Sequence, residues 1–445
     1  MKNIILIGLP GSGKTTLGKE LANKLSLNFI DIDSVIENRS EKKIEDIFNS
    51  VGEQGFRELE TEAVKVTAKE QGMVIACGGG IVLKEINMDL LSEKGIIVYI
   101  NRSIESILAN IDSEFRPLLK DNPSKIYKLN EERSSLYEEY ADFIVGRSND
   151  YEETLKELIN IFDLSKSEKN FGVIGDPIEH SLSPDIHLPV LNKILKNVSY
   201  DRHRVPKDIL SKWMEEKELD GFNVTMPNKV EIIPLLDSID DEAVVLGSVN
   251  TVVKKDGHMH GYNTDGLGFA IALKEKGRSF KNKKVTILGV GGAGRSLAIK
   301  AAKEGAKKID IFARRQEPAL EIIKRIEKDF GIECKWRNFL INDKLDTDIV
   351  INATPLGMTG IKDDFENFGF LDNLDEVLLC DLIYSPTKTN LLKEGEKRGL
   401  KTMGGLPMLI YQALYADQYF LGAELSFKKA YKRAYNNLIG KVDIL

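Results

Sequence analysis

Cysteine is scarce in this chain. The three in 445 residues, Cys77, Cys334 and Cys380, lie far apart and form no C-x-x-C pair. That argues against a disulfide framework or a cysteine-based zinc site and fits a reducing cytoplasm. Long apolar runs are missing too. No stretch approaches the ~20 apolar residues of a membrane helix. The apolar run at residues 4–7 is too short for the core of a secretion signal. A cytoplasmic protein without a membrane partner is therefore expected. An excess of positive charge is also absent: 62 basic residues face 69 acidic ones, for a net charge of −7. This argues against a general nucleic-acid surface and leaves room for local phosphate pockets. The five histidines show no metal-ligand spacing. No repeat of fixed period and no low-complexity tract appears.

What is present is apolar material for more than one core, 42% of the chain. At roughly 100–200 residues per domain, the length predicts two or three domains. Apolar runs at 3–8, 29–32, 73–76, 96–100 and 142–145 read as strands. Amphipathic stretches at 15–25, 43–69 and 151–162 read as helices. Such alternation predicts an α/β fold with a parallel sheet covered on both faces. The polar stretch DLSKSEKN at 163–170 reads as a linker. A new strand opens at 171–174 and another at 284–288, the latter entering a glycine-rich turn. The expected division is a P-loop domain over 1–162, the linker 163–170, and a second region over 171–445. Within that region, a substrate domain is expected at 171–270 and a Rossmann domain at 280–390. C-terminal helices over 400–445 are expected to return to the substrate domain.

Residues 8–15, GLPGSGKT, fit G-x-x-x-x-G-K-[ST] in full, after a strand and before a helix. Gly8, Gly11 and Gly13 let backbone N–H groups wrap a phosphate without Cβ clashes. The helix N-terminus favours the anion. Lys14 supplies charge to the β- and γ-phosphates, and Thr15 a hydroxyl for Mg²⁺. Gly11, Ser12, Gly13, Lys14, Thr15 and Thr16 are thus candidates to hold ATP. The loop does not name the acceptor. Asp31 and Asp33, at the end of the second strand with Ile32 between them, are expected on one side of it near the loop. One would serve magnesium and the other an acceptor hydroxyl.

FIDIDSVIE, GEQGFRELE, ACGGG, FRPLL and ERSSLYEEYAD then follow in order. With the loop, they resemble the shikimate kinase family over nearly all of residues 1–162. The resemblance implies that Asp33, Arg57 and Arg133 hold shikimate, with Gly78, Gly79 and Gly80 shaping the pocket. It implies that Arg116 reaches the phosphates from a lid and that Asp31 serves magnesium through water. Arginine suits a carboxylate substrate through paired charge-assisted bonds. The segment 109–114 lacks the extra arginine the family carries before FRPLL, which leaves nucleotide affinity and base preference open.

Residues 289–294, GVGGAG, complete G-x-G-x-x-G between a strand and a helix. Gly289, Gly291, Gly292, Ala293 and Gly294 are candidates to receive a dinucleotide. About 20 residues on, where an NAD enzyme commonly has an acid, stand Arg314 and Arg315, which suit the 2′-phosphate of NADP. GVIGDPIEHSLSPDIH, FNVTMPNK, GSVN, GYNTDGLG, INATPLGM, DLIYSPTKTNLL and GGLPMLIYQA surround this motif. Together they resemble the shikimate dehydrogenase family over about 170–445. The resemblance implies that Ser181 and Ser183 bind the substrate carboxylate and that Thr225, Asn250 and Gln412 are further substrate contacts. Lys229 and Asp265 match the catalytic pair, Arg314 the arginine for the NADP phosphate. Asn352 and Thr354 match the cofactor side, and Tyr384 the cleft. Which member of the pair moves the proton stays open. The family's N-R-T reads Ala313-Arg314-Arg315 here, so NADP is preferred with some NAD use allowed. The H-N pair reads His187-Leu188, and His187 reads as a structural histidine.

The two resemblances name consecutive reactions. 3-Dehydroshikimate would be reduced with NADPH, and the shikimate formed would be phosphorylated by MgATP. The expected partners are these small molecules, with a homodimer as one oligomeric option. A reductase acting also on quinate with NAD is an alternative. A gluconate-type kinase is disfavoured by Arg57 and Arg133. A non-catalytic sensor half is disfavoured by Lys14, Asp33, Lys229 and Asp265.

Overall fold

The computed structural model describes residues 1–109, 124–339 and 344–442. The chain divides into two compact units. The first is Met1–Lys169 with Val190–Val198 and Leu421–Arg433, and the second is Asn170–Pro189, Ser199–Phe420 and Ala434–Leu445. These bounds group two short stretches of the C-terminal sequence with the first unit, an assignment that the alternation of strands and helices does not express.

The first unit is built on a five-stranded sheet. Its strands are β1 (Asn3–Ile7), β2 (Asn28–Asp31), β3 (Met73–Ala76), β4 (Gly95–Ile100) and β5 (Phe143–Val145). Their order is β2-β3-β1-β4-β5, and every pairing is parallel. Ile4, Ile5, Leu6 and Ile7 have no exposed surface, because a central parallel strand is covered on both faces. Each such side chain contributes about 1.5–3 kcal/mol relative to exposure. The sequence NIILI is therefore an unbroken apolar run and not an alternating one.

The second unit holds two sheets. The strands of the first are β6 (Glu168–Gly175), β7 (Asn197–Arg204), β8 (Gly221–Val224), β9 (Ser238–Ile239), β10 (Thr251–Lys255) and β11 (His258–Tyr262), in the order β7-β6-β8-β10-β11-β9. It is mixed: β6 and β8 run parallel, while β8, β10 and β11 pair antiparallel. The second sheet comprises β12 (Lys284–Leu288), β13 (Lys308–Phe312), β14 (Glu333–Arg337), β15 (Ile349–Asn352), β16 (Leu378–Asp381) and β17 (Lys401–Met403). Its order is β14-β13-β12-β15-β16-β17, wholly parallel, with the doubly wound reversal beside β12. No helix among the described residues is long and apolar enough to cross a membrane.

The stretch 163–170 is more ordered than its polarity predicts. The helix Tyr151–Leu164 enters it and β6 begins at Glu168. Ser165 closes that helix with its N–H on the Ile161 carbonyl, and Leu164 is buried. Local backbone bonds and one apolar anchor thus order most of a segment that composition reads as linker.

Candidate active sites

In the first unit, β1 hands the chain to the loop at its C-terminal end. Gly8, Gly11 and Gly13 take φ of 146°, 90° and 94°, values open to glycine and strained for other residues. The helix Lys14–Leu25 starts at once. Lys14 folds back so that Nζ donates to the carbonyls of Gly8 (2.9 Å) and Leu9 (2.8 Å). These bonds and that of the Ser12 N–H to the Leu9 carbonyl hold the loop, with Ser12 buried within it.

Thr15 Oγ1 donates to Asp31 Oδ2 at 2.8 Å. Asp31 Oδ1 accepts the N–H of Asp33 at 3.0 Å and so caps the helix Ile32–Ser40. This corrects the expectation that both aspartates end a strand. Only Asp31 does, because its carboxylate supplies the N-cap that starts a helix there. Asp33 lies in the first turn of that helix, packed on the glycine run: a Cβ on Gly78 would stand 2.7 Å from its Oδ1. Burial, with Asp31 next in weight, pushes the Asp33 carboxyl up to about 6.

Arg57 comes from the helix Ile44–Thr67 and binds both oxygens of Glu60 through Nη1, at 3.0 and 2.9 Å. A Cβ on Gly80 would meet its guanidinium at 2.1 Å, and one on Gly79 would meet Pro10 at 2.8 Å. The glycine run is thus what lets Arg57 and the phosphate loop approach each other. Arg133, on the helix Lys125–Tyr140, is buried near Tyr137, whose hydroxyl donates to the Gly79 carbonyl. The Nε atoms of both arginines are buried with no protein hydrogen-bond partner among the described residues. Contacts thus link Thr15 to Asp31, Asp31 to Asp33, Asp33 and Arg57 to the glycine run, and that run to Pro10 of the loop and to Tyr137 beside Arg133. Arg116 lies outside the described residues, and Thr16 faces solvent. Glu60 and Tyr137 were missed. A carboxylate one helical turn after Arg57 was the available sign of Glu60.

In the second unit, Lys229 Nζ donates to Asp265 Oδ2 at 2.6 Å. Asn250 Nδ2 donates to Asp265 Oδ1 (2.9 Å), Thr264 Oγ1 (2.9 Å) and Gln412 Oε1 (3.2 Å). Residues 36 and 162 positions apart thus join one network. Gln412 reaches it because Gly268 has no side chain: a Cβ there would stand 2.5 Å from the Gln412 N. Thr225 follows β8 and returns its N–H to the Ile174 carbonyl, with Gly175 against its methyl group. Ser181 Oγ donates to Ser183 Oγ at 3.1 Å at the start of the helix Ser183–Ile194. Tyr384 is largely buried, which raises its phenol above the ordinary value.

The dinucleotide turn follows β12. Gly289 has φ 98°, Gly291 caps the helix Gly292–Lys303, and a Cβ on Gly294 would meet the Gly289 carbonyl oxygen at 2.2 Å. Only glycine at 294 lets this helix sit so close to the turn. Ala293 lies between, in the first helical turn. Gly289, Gly291, Arg314, Arg315, Phe339 and Thr354 line a cavity of about 300 Å³. Arg314 lies 5.8 Å over the Phe339 ring. Asn352 does not line this cavity. It is wholly buried, donates to Asp381 and accepts from the N–H and hydroxyl of Thr354. Of the two residues expected on the cofactor side, Thr354 lines the cavity and Asn352 holds it there from behind. Phe339, also missed, carried no motif.

Comparison with known proteins places both halves. The shikimate kinase family model matches residues 10–163, and the shikimate dehydrogenase substrate binding domain matches 173–252. The shikimate dehydrogenase (NADP⁺) of Alkaliphilus metalliredigens is 40% identical over 274 residues, which cover 59% of this chain and 95% of that protein. A crystal structure of a shikimate dehydrogenase in complex with NADP⁺ superposes with a TM-score of 0.56 at 37% identity, over 63% of this chain and 99% of that one. The shikimate 5-dehydrogenase of Listeria monocytogenes, solved with shikimate and NAD, gives a TM-score of 0.54 at 32% identity, over 60% and 96%. The chain thus belongs to the shikimate dehydrogenase family through its C-terminal part and carries a shikimate kinase domain ahead of it, which makes it a bifunctional shikimate-pathway enzyme.

Proposed function

We propose that the second unit reduces 3-dehydroshikimate to shikimate with NADPH, and that the first transfers the γ-phosphoryl group of ATP to the shikimate 3-hydroxyl. The observation that carries the first step is the Lys229–Asp265 pair, held at 2.6 Å inside a network that also contains Asn250 and Gln412. NADPH supplies the hydride. Lys229 stands where the ketone oxygen gathers charge and stabilises it as a cation or proton donor. Asp265 holds the ammonium and is itself held by Asn250. Thr225 and Gln412 contact ring hydroxyls, and Ser181 and Ser183 bind the carboxylate.

The residues present fit the dinucleotide. The glycine turn offers backbone N–H groups to the pyrophosphate, and Arg314 and Arg315 offer paired donors to the 2′-phosphate. At the end of β13 the cavity is lined by Arg314 and Arg315, with Asp363 entering its lining from another segment, and the two arginines favour NADP over NAD.

The phosphoryl-transfer site fits MgATP. Magnesium neutralises phosphate charge when bound, and Thr15 and Asp31 are the side chains placed for it. Arg57 and Arg133, with unpartnered buried Nε groups, hold the shikimate carboxylate. Asp33 accepts the 3-hydroxyl hydrogen, and Arg116 is assigned to the transferring phosphoryl group.

One incubation of the purified chain with 3-dehydroshikimate, NADPH and MgATP tests both steps by mass spectrometry. Shikimate 3-phosphate is the expected product. Accumulation of shikimate alone would sink the kinase assignment. If neither product forms, the reductase substrate is wrong, and shikimate with MgATP then judges the kinase separately.

A further inference from the structure

Behind the two serines of the reductase pocket lies a buried pair that the proposed chemistry does not use. His187 Nδ1 and Asp417 Oδ1 are 2.6 Å apart, and neither side chain is more than 1% exposed. Asp417 Oδ2 has no hydrogen-bond partner among the described residues. The His187 ring stacks on Tyr200 with centroids 4.4 Å apart and planes 10° from parallel, and Phe420 closes on it at 6.0 Å. Stability alone does not call for such a pair. Apolar side chains of similar volume fill a buried site at equal or lower free energy, since both polar groups must shed water.

What the pair fixes is the plane of Tyr200. The Asp417 carboxylate sets the rotation of the imidazole, and the imidazole face sets the tilt of the phenol. The Tyr200 hydroxyl then donates to Asn223 Oδ1 at 2.5 Å and lies beside the Ser183 hydroxyl, close enough for the two to interact. Ser183 in turn accepts from Ser181. On the other side, Asn223 Nδ2 donates to Thr251 Oγ1, which donates to Asn250 Oδ1. Asn250 is the residue that holds Asp265. The hydroxyl of Tyr200 therefore joins the two ends of the pocket.

We propose that His187 and Asp417 are positioning residues of the reductase: through Tyr200, they set the direction of the Ser183 hydroxyl and so the fit of the substrate carboxylate. This rests on the reading of Ser181 and Ser183 as carboxylate ligands. Asp417 lies on the same helix, Leu406–Leu421, that carries Gln412, so one rigid element supports both ends of the pocket.

The test uses the full chain in the shikimate-oxidising direction. Asp417→Leu raises the KM for shikimate roughly tenfold, the effect of one well-aimed hydrogen bond. It leaves kcat and the KM for NADP⁺ within about twofold of the parent. Asp417→Asn keeps an acceptor facing Nδ1 and restores most of the loss. An unchanged shikimate KM in Asp417→Leu overturns the proposal, and so does a fall in kcat with both KM values raised in parallel. Should Asp417→Leu fail to bind NADP⁺, the double variant His187→Phe with Asp417→Leu decides. Its raised shikimate KM supports the proposal, and its parental KM overturns it. Ser183→Ala is the separate check on the pocket. If it leaves the shikimate KM unchanged, the carboxylate assignment itself fails.

Discussion

At the scale of single residues, Asp33 shows how a site costs stability. Burial and Asp31 lift its carboxyl from 3.8 to about 6. Between those values the folded protein keeps a proton that the unfolded chain has released. Stability of the first unit therefore falls as pH rises through that window. Replacing Asp33 by Asn removes the buried charge. The variant is expected to unfold at a higher temperature than the parent at pH 7 and to show no gain near pH 3, as read by calorimetry. The same substitution lowers kcat for phosphorylation by roughly 10²–10⁴, the range for loss of a general base. In the parent, kcat/KM for shikimate falls as pH drops below about 6, because the protonated carboxyl no longer accepts the hydroxyl hydrogen. A variant with parental stability at pH 7 and near-parental kcat would remove Asp33 from the chemistry.

At the scale of elements, the helix Gly292–Lys303 is held against its turn by the absence of one side chain. A Cβ on Gly294 would stand 2.2 Å from the Gly289 oxygen and 3.3 Å from Ala353 Cβ. Gly294→Ala forces helix and turn apart. An overpacking cost of about 1–3 kcal/mol corresponds to a KM for NADPH raised by roughly tenfold. Phosphorylation in the same protein is expected to stay at the parental rate, and a spectrophotometric assay of each activity separates the two. Such turns were legible in the sequence because the motif carries its own geometry: GLPGSGKT and GVGGAG sit where strand, loop and helix were expected. The central strands β1 and β4 were legible as apolar runs because both faces are covered. Other features were not. Asp33 falls in a helix because Asp31 caps it, a competition between strand and cap that alternation does not register. Residues 163–170 look like a linker by composition, yet backbone bonds and Leu164 order most of them. His187 is buried against a carboxylate that its own motif does not contain. Its partner Asp417 is 230 residues away and belongs to no motif, so no local pattern reveals the pair.

At the scale of the whole molecule, the described side chains of each candidate site come from a single unit. Lys14→Ala is expected to abolish phosphorylation and spare reduction, and Lys229→Ala to do the reverse. Loss of both activities in either variant, assayed on the same preparation, would contradict independent sites. The two units are proposed to meet the same molecule, since the product of one is the substrate of the other. In that proposal its carboxylate is recognised through different chemistry: the guanidinium groups of Arg57 and Arg133 in the first, and the hydroxyls of Ser181 and Ser183 in the second. A neutral carboxamide of shikimate therefore deprives the first site of the anion proposed to face Arg57 and Arg133, Arg57 keeping its bond to Glu60, while the second keeps an oxygen to which its hydroxyls donate. One scaffold, with a single change of charge, becomes a reagent that silences one half of a fused enzyme and leaves the other running.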